Sequence, residues 1–431
     1  MSHCVQSNAL KYGMGSGHDG VRKMLERRIP EWLRHAPAPG VRGFAVLAGI
    51  EAVIRGVLIS VFPLAMYRAF QDAGTVSQLY FLVGLASLAG GLMVPWVTRY
   101  MPRRWVYTVG ALLYLCSAAL AIHGGATAMA LALLTNTIAT VIVFVCFNAY
   151  VLDYIAKVEL GRCETLRLFY SAAAWSLGPF CGVWLFGWWP PAPFIFSGLA
   201  ALALIATFWV MRLGNGKLIT KTRGPTPNPL AYMGRFFAQP RLVAGWLFAV
   251  LRSCGWWVYI VYLPIFAVEN GLRERLGGAA LSMTNACLFL TPFMLRWMRS
   301  SSVRASVRVG FFGSGSLFLL AGIAAFEPWA SVALLMAGTV WLIFLDVCGG
   351  LPFLMAVKPS ERTEMSAIYA SYRDISGIAS PGAAWFVLQV APLSAVFAVT
   401  GLGLFGAWGI AGRLHPRLGS GRAPRMPQAS A

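Results

Sequence analysis

The chain has 431 residues, 58% of them hydrophobic and only 12% charged, with a formal net charge of +20. A soluble domain carries about a quarter charged residues, so this composition reads as membrane. The basic residues sit in short gaps between apolar runs, where topology signals belong, which argues against nucleic acid as the partner of the positive charge.

Residues 1–40 form a basic N-terminal tail without the apolar core of a signal peptide. Its stretch 21–36 sets Arg22, Lys23, Arg27, Arg28 and Arg34 beside Leu25, Ile29, Trp32 and Leu33. That pattern fits an amphipathic helix on an anionic membrane surface or a disordered cytoplasmic tail. Twelve apolar spans follow. Spans 1 to 6 are predicted at about 43–66, 76–97, 104–123, 127–153, 165–188 and 192–212, each long enough to cross a hydrocarbon core of about 30 Å. Spans 7 to 12 are predicted at about 243–267, 276–297, 305–326, 329–357, 365–390 and 392–412.

Charge between the spans sets the orientation. One set of connections holds Arg99, Arg103 and Arg104, then Lys157 and Arg162, then Arg212 to Arg241, then Arg296, Arg299 and Arg304, then Lys358 and Arg362, and finally Arg413 to Arg425. The other set is nearly bare, with Arg68, His123, Glu327 and a mixed patch at Glu269, Arg273, Glu274 and Arg275. Positive charge stays in the cytoplasm, so both termini are expected there. The Gly-, Pro- and Lys-rich connection at 214–240 divides the spans six and six. The expected organisation is a six-helix bundle at 41–213, a cytoplasmic loop at 214–240, a second six-helix bundle at 241–412 and a basic tail at 413–431.

The halves repeat each other. Phe62-Pro63 in span 1 matches Leu263-Pro264 in span 7, Pro95 in span 2 matches Pro292 in span 8, and Pro179 in span 5 matches Pro381 in span 11. The offsets are 201, 197 and 202 residues, which points to two like-oriented six-helix repeats.

With these features the chain resembles the major facilitator superfamily over about residues 40–415. Gly178, Pro179 and Gly182 in span 5 look like the GPxxG core of that superfamily's antiporter motif, with Ala174 where the family has an earlier glycine. These residues read as a helix-packing motif, small residues letting helices approach while proline loosens the backbone ladder. The loop between spans 2 and 3 departs from the family pattern. Its paired basics survive as Arg103 and Arg104, but Pro95, Arg99 and Pro102 stand at the expected Gly, Asp and Gly. The resemblance implies an all-α fold with a substrate site near the midplane, lined by spans 1, 4, 7 and 10.

Ionisable residues inside a bilayer are costly and read as functional candidates. Span 1 carries Glu51 and Arg55, four residues apart on one helical face. Span 7 carries Arg252, twelve residues before Pro264, as Glu51 lies twelve before Pro63. Glu51 is therefore expected to face Arg252 across the pseudo-twofold axis, exchanging it with Arg55. Asp346 in span 10 is the second candidate proton carrier, and Arg373 and Asp374 in span 11 are candidates at the cavity or one layer behind it. Asn136, Asn148, Asn285 and Trp256 complete the candidate substrate and proton pathway. Asp153 is read as a helix-end residue, and mid-span Trp256, Trp257 and Tyr259 as packing or as a stacking surface.

The eight cysteines form no CxxC pair, and no histidine cluster or nucleophile–base arrangement can be assembled, so neither a metal, a cofactor nor an enzymatic activity is expected. No GxxxxGK[ST] sequence occurs either. The expectation is a monomeric secondary transporter of a bacterial-type inner plasma membrane, with a small solute, protons and lipid as its partners. It favours proton-coupled efflux by antiport. Uptake of an anionic metabolite with protons is the alternative, and a non-transporting scaffold with the same fold is the reading from another class.

Overall fold

The structure, a computed structural model, describes residues 40–155, 159–212, 233–357, 365 and 368–414. The expectations for residues 1–39, for 213–232 of the central loop and for 415–431 lie outside these.

All described regular structure is helical. The first half of the chain runs through α1 (Val41–Leu58), α2 (Val61–Phe70), α3 (Ala73–Tyr100), α4 (Arg103–His123), α5 (Ala126–Tyr154), α6 (Leu160–Trp188) and α7 (Ala192–Arg212). The second half begins with α8 (Met233–Phe237) and α9 (Pro240–Glu269), then α10 (Arg275–Ala286) and α11 (Thr291–Ser300). It ends with α12 (Val303–Ile323), α13 (Pro328–Cys348), α14 (Leu351–Ala356), α15 (Tyr372–Leu388) and α16 (Leu393–Ala411). Among the described residues, ten helices are long and apolar enough to cross a membrane. The two other expected spans, at about 276–297 and 365–390, are built from shorter pieces. In the first, a 3₁₀ turn at Cys287–Leu290 separates α10 from α11. Position 292 is a proline and has no amide hydrogen to give to the carbonyl of Leu288; the hydroxyl of Thr291 donates to that carbonyl at 2.5 Å. The span expected as one helix at 329–357 is likewise two, α13 and α14, parted at Gly349–Gly350. Span 1 breaks at Ile59–Ser60 for a related reason, since Pro63 cannot donate to the carbonyl of Ile59.

Local signals fix several helix ends. Asp72 caps α3, its carboxylate accepting the backbone N–H of Gly74 at 3.1 Å and of Thr75 at 2.7 Å. Gly124 and Gly125 turn the chain from α4 into α5 at φ of 80° and 87°, a region that favours glycine.

Helix α1 packs on α6 and α7, and α4 on α5 and α7. In the second half α12 packs on α16 and α13, while α9 packs on α15, α16 and α13. The two sets meet along two seams, α3 against α15 and α6 against α10. The motif at 178–182 belongs to the contact of α1 with α6. A Cβ built on Gly178 would lie 2.6 Å from the backbone of Gly56, and one on Gly182 would lie 2.0 Å from the carbonyl oxygen of Val57. Only hydrogen side chains allow backbones this close.

The hydrogen bonds between residues 41–212 and 233–414 run from the middle of the bundle to the end farthest from Val41, hereafter the far end. Asn285 donates to the carbonyl of Trp175 at 2.7 Å, and the amide of Phe180 donates to Ser282 Oγ at 2.9 Å. Tyr262 donates to Ser77 Oγ at 2.8 Å, and Arg68 pairs with Glu274 while lying 4.5 Å from the centre of the Phe186 ring. Toward the opposite end, hereafter the tail end, large apolar side chains of α3, α6 and α11 stand exposed, including Trp96, Leu168 and Phe293.

Candidate functional site

Glu51 and Arg55 are one helical turn apart on α1, with Arg55 Nη1 donating to Glu51 Oε1 at 3.2 Å. The close approach of α1 and α6 brings Trp175 beside them, and the Arg55 guanidinium lies 5.2 Å from the centre of its ring. Tyr114 of α4 has both Glu51 and Arg55 as charged neighbours and hands its own hydroxyl hydrogen to Thr140 Oγ1 at 3.0 Å. The pair is thus held among α1, α4, α5 and α6.

The second cluster sits on α9, α13 and α15. Arg252 Nε lies 3.0 Å from Asp346 Oδ1, but its N–H makes no hydrogen bond, so this contact is an ion pair by proximity. Trp256 Nε1 donates to the other carboxylate oxygen at 3.1 Å. The Tyr372 ring covers Arg252 at 5.5 Å. The partners differ in access: the Arg252 side chain is 9% exposed and that of Asp346 38%. A fixed, buried cation therefore holds a carboxylate that remains reachable.

The expected meeting of Glu51 with Arg252 across the axis is not formed in this structure. Each finds a partner in its own half, Glu51 through the one-turn spacing on α1 and Arg252 through α13. Arg373 and Asp374 are exposed in the first turn of α15. Arg373 donates to Tyr372 Oη at 3.2 Å and lies 5.9 Å from the Phe144 ring of α5, reaching from one half toward the other. Asp374 has Arg373 as its charged neighbour. Asn148 accepts from Arg167 at 3.4 Å near the tail end, and Asn136 is half-buried on α5, its backbone carbonyl taking the Thr140 hydroxyl at 2.9 Å.

Asn285 has a definite task. Pro179 has no N–H, so the carbonyl of Trp175, four residues earlier, loses its helical donor. The Asn285 side chain supplies one from the other half. The amide of Phe180, next in the loosened ladder, bonds to Ser282. The motif at 178–182 therefore joins three helices: α6 to α1 through its glycines, and α6 to α10 through its proline.

Sequence reasoning missed three contacts. Arg103 pairs with Asp153, so a charge contact persists at the tail end despite the altered loop. Arg68 pairs with Glu274, for which the signal was a lone arginine on one nearly bare connection and acids on another. Arg167, placed beside Asn148 and paired with Glu164 at 2.6 Å, gave no signal beyond its helical spacing from the acid. Among the described residues, no group of three His, Cys, Asp or Glu stands close enough to hold a metal ion.

Comparisons with known proteins agree with this architecture. The nucleoside transporter NupG superposes with a TM-score of 0.64 at 13% identity, over 87% of this chain and 99% of its own. A bacterial homologue of the iron transporter ferroportin, solved in an inward-facing state, gives 0.67 at 14% identity over 89% and 98%. A D-xylose-proton symporter gives 0.64 at 11% identity over 88% and 99%. No curated protein matches the chain in sequence. The sequence model of the Major Facilitator Superfamily matches residues 44–381, most of the chain. The chain therefore belongs to the Major Facilitator Superfamily, as a multi-pass membrane transporter and not an enzyme.

Proposed function

We propose that the protein exports a small solute in exchange for protons, by rocking two six-helix halves, residues 41–213 and 241–412, about a site between spans 1, 4, 7 and 10. The observation that carries this reading is the Asp346 carboxylate, accessible at mid-span yet tied to Arg252 and Trp256. A proton added to Asp346 cancels its charge and leaves the buried Arg252 without a counter-charge, which is costly in a dry environment. Protonated and unprotonated forms then favour different arrangements of α9 and α13, and a difference in affinity between arrangements is what coupling requires. Glu51 serves in the same way toward Arg55, as the second carrier.

Trp175, Trp256, Tyr372 and Phe144 border these charges and suit an organic solute with an apolar or aromatic face. The positive tail end is cytoplasmic on this reading, in a bacterial-type inner plasma membrane, with twelve spans and a monomeric chain. Bonds between the halves at the far end then describe a form open to the cytoplasm. Uptake of an anion is less favoured, because two of the three interior arginines, Arg55 and Arg252, already face carboxylates, which leaves Arg373 among them to bind one. The test is flux in proteoliposomes with a pH-sensitive dye and a panel of candidate solutes. Asp346→Asn and Glu51→Gln are expected to lose solute-driven proton movement while keeping solute exchange at equal pH. Undiminished proton movement in both variants would overturn the assignment.

A further inference from the structure

The charges at the tail end of α12 are arranged against ordinary helix electrostatics. A helix N-terminus carries partial positive charge and is stabilised by acids in its first turn. The first turn of α12 has none, and instead Arg304 and Arg308 occupy positions four apart, one above the other on one face. Neither has a carboxylate within 4 Å among the described residues, and the Nε of each is buried without a hydrogen-bond partner. Arg304 donates through Nη2 to the carbonyl of Gly412, which closes the C-terminus of α16. Arg308 contacts the face of Trp408 at 5.3 Å and has no acceptor at all among the described residues. The chain beyond Leu414 adds Arg417, Arg422 and Arg425 and contains no acid to neutralise them.

Depth and surroundings define what this charge fits. Arg308 is five residues into α12, about 8 Å from its start, and Trp408 is three residues from the end of α16, so both lie at the level of lipid headgroups. Toward the membrane interior, Phe312 and Phe405 continue the surface, Phe312 meeting Trp408 at 5.9 Å and Phe405 at 5.8 Å. Phe312 and Leu402 are exposed on this outer face of α12 and α16. A cationic ledge above an apolar, aromatic wall matches a phospholipid with a negative headgroup. We infer that the Arg304–Arg308–Trp408 ledge, between α12 and α16, is a binding site for an anionic phospholipid of the tail-side leaflet. The phosphate and its negative headgroup neutralise the two arginines and the α12 terminus, and the acyl chains lie along Phe312 and Leu402.

The experiment uses the full chain, purified in a neutral detergent, with phosphatidylglycerol and phosphatidylcholine as probes. Native mass spectrometry counts bound lipid, and thermal unfolding reads stabilisation. The wild type is expected to retain phosphatidylglycerol over phosphatidylcholine and to unfold at higher temperature when it is added. Arg308→Gln is expected to weaken phosphatidylglycerol retention about fivefold, the worth of one basic group near a charged surface. That variant should unfold no earlier than wild type in detergent alone, because one of two repelling cations has gone. Arg308→Lys should keep most of the retention. Equal retention of phosphatidylglycerol by wild type and Arg308→Gln would overturn the inference, as would equal retention of both lipids by wild type. Displacement of phosphatidylglycerol by millimolar inorganic phosphate would assign the ledge to a free anion and would also overturn it.

Discussion

The bond from Asn285 to the carbonyl of Trp175 permits a test in which two substitutions should cancel. Asn285→Ala removes the side-chain donor and strands the carbonyl that Pro179 leaves unpaired. An unsatisfied buried acceptor costs about 1–3 kcal/mol; Asn285 and Trp175 are only half-buried, so about 1–1.5 kcal/mol is the reasonable share. Because the bond joins α6 to α10, its loss falls on the arrangement seen here and not on one in which that seam has opened. A change of 1.4 kcal/mol is about tenfold in the ratio of the two. Pro179→Ala restores an N–H that can bond to Trp175 along the helix itself. In that background the loss of Asn285 should cost almost nothing, giving a coupling of about 1 kcal/mol between the two positions. The assay is a double-mutant cycle in thermal unfolding, alongside distances between spin labels at the far ends of α2 and α9. Independent sites add to within about 0.5 kcal/mol, so additivity at that level would refute the reasoning.

Gly182→Ala places a Cβ 2.0 Å from the carbonyl oxygen of Val57, where only backbone can move, and should destabilise the protein by about 1–3 kcal/mol in unfolding experiments. Gly234→Ala, with open space around it, should be nearly silent in the same measurement. Asp72→Ala should lower stability at neutral pH by about 1 kcal/mol through loss of the α3 cap. The hydroxyl of Thr75 and the backbone N–H groups of Thr75 and Gly74 hold the Asp72 carboxyl below its ordinary value. The stabilisation is therefore complete above about pH 4 and fades as pH falls through the lowered folded value. Unfolding curves of wild type and Asp72→Ala should differ at neutral pH and draw together as the carboxyl is protonated; a gap that is unchanged between neutral and strongly acid pH would point to another cause.

The sequence alone determined the class of protein. Apolar runs of about twenty residues are a demand of the bilayer itself, so composition and run length sufficed for a helical membrane protein. Matching prolines at near-constant offsets and the residues at 178–182 sufficed for the superfamily resemblance. Expensive mid-span residues could be named one by one, because burial in lipid makes Glu51, Arg252 and Asp346 conspicuous wherever they point.

Their partners could not be read, and there the tertiary structure decided. Glu51 and Arg252 occupy equivalent places in the repeats, and sequence symmetry suggested that they meet. Packing instead puts Asp346 of α13 at 3.0 Å from Arg252 and leaves Glu51 with the neighbour four residues away. The difference is physical: repeat equivalence fixes depth in the membrane, whereas an ion pair also needs the rotation of each helix and the crossing of its neighbours. Asn285 shows the same limit. Its polarity was visible in the chain, but its role depends on a carbonyl in another helix, emptied by a proline 106 positions earlier. Arg304 looked like a topology signal in sequence and Arg308 drew no reading; the folded structure sets the two one turn apart with no carboxylate within 4 Å among the described residues, which is what the proposed lipid site rests on.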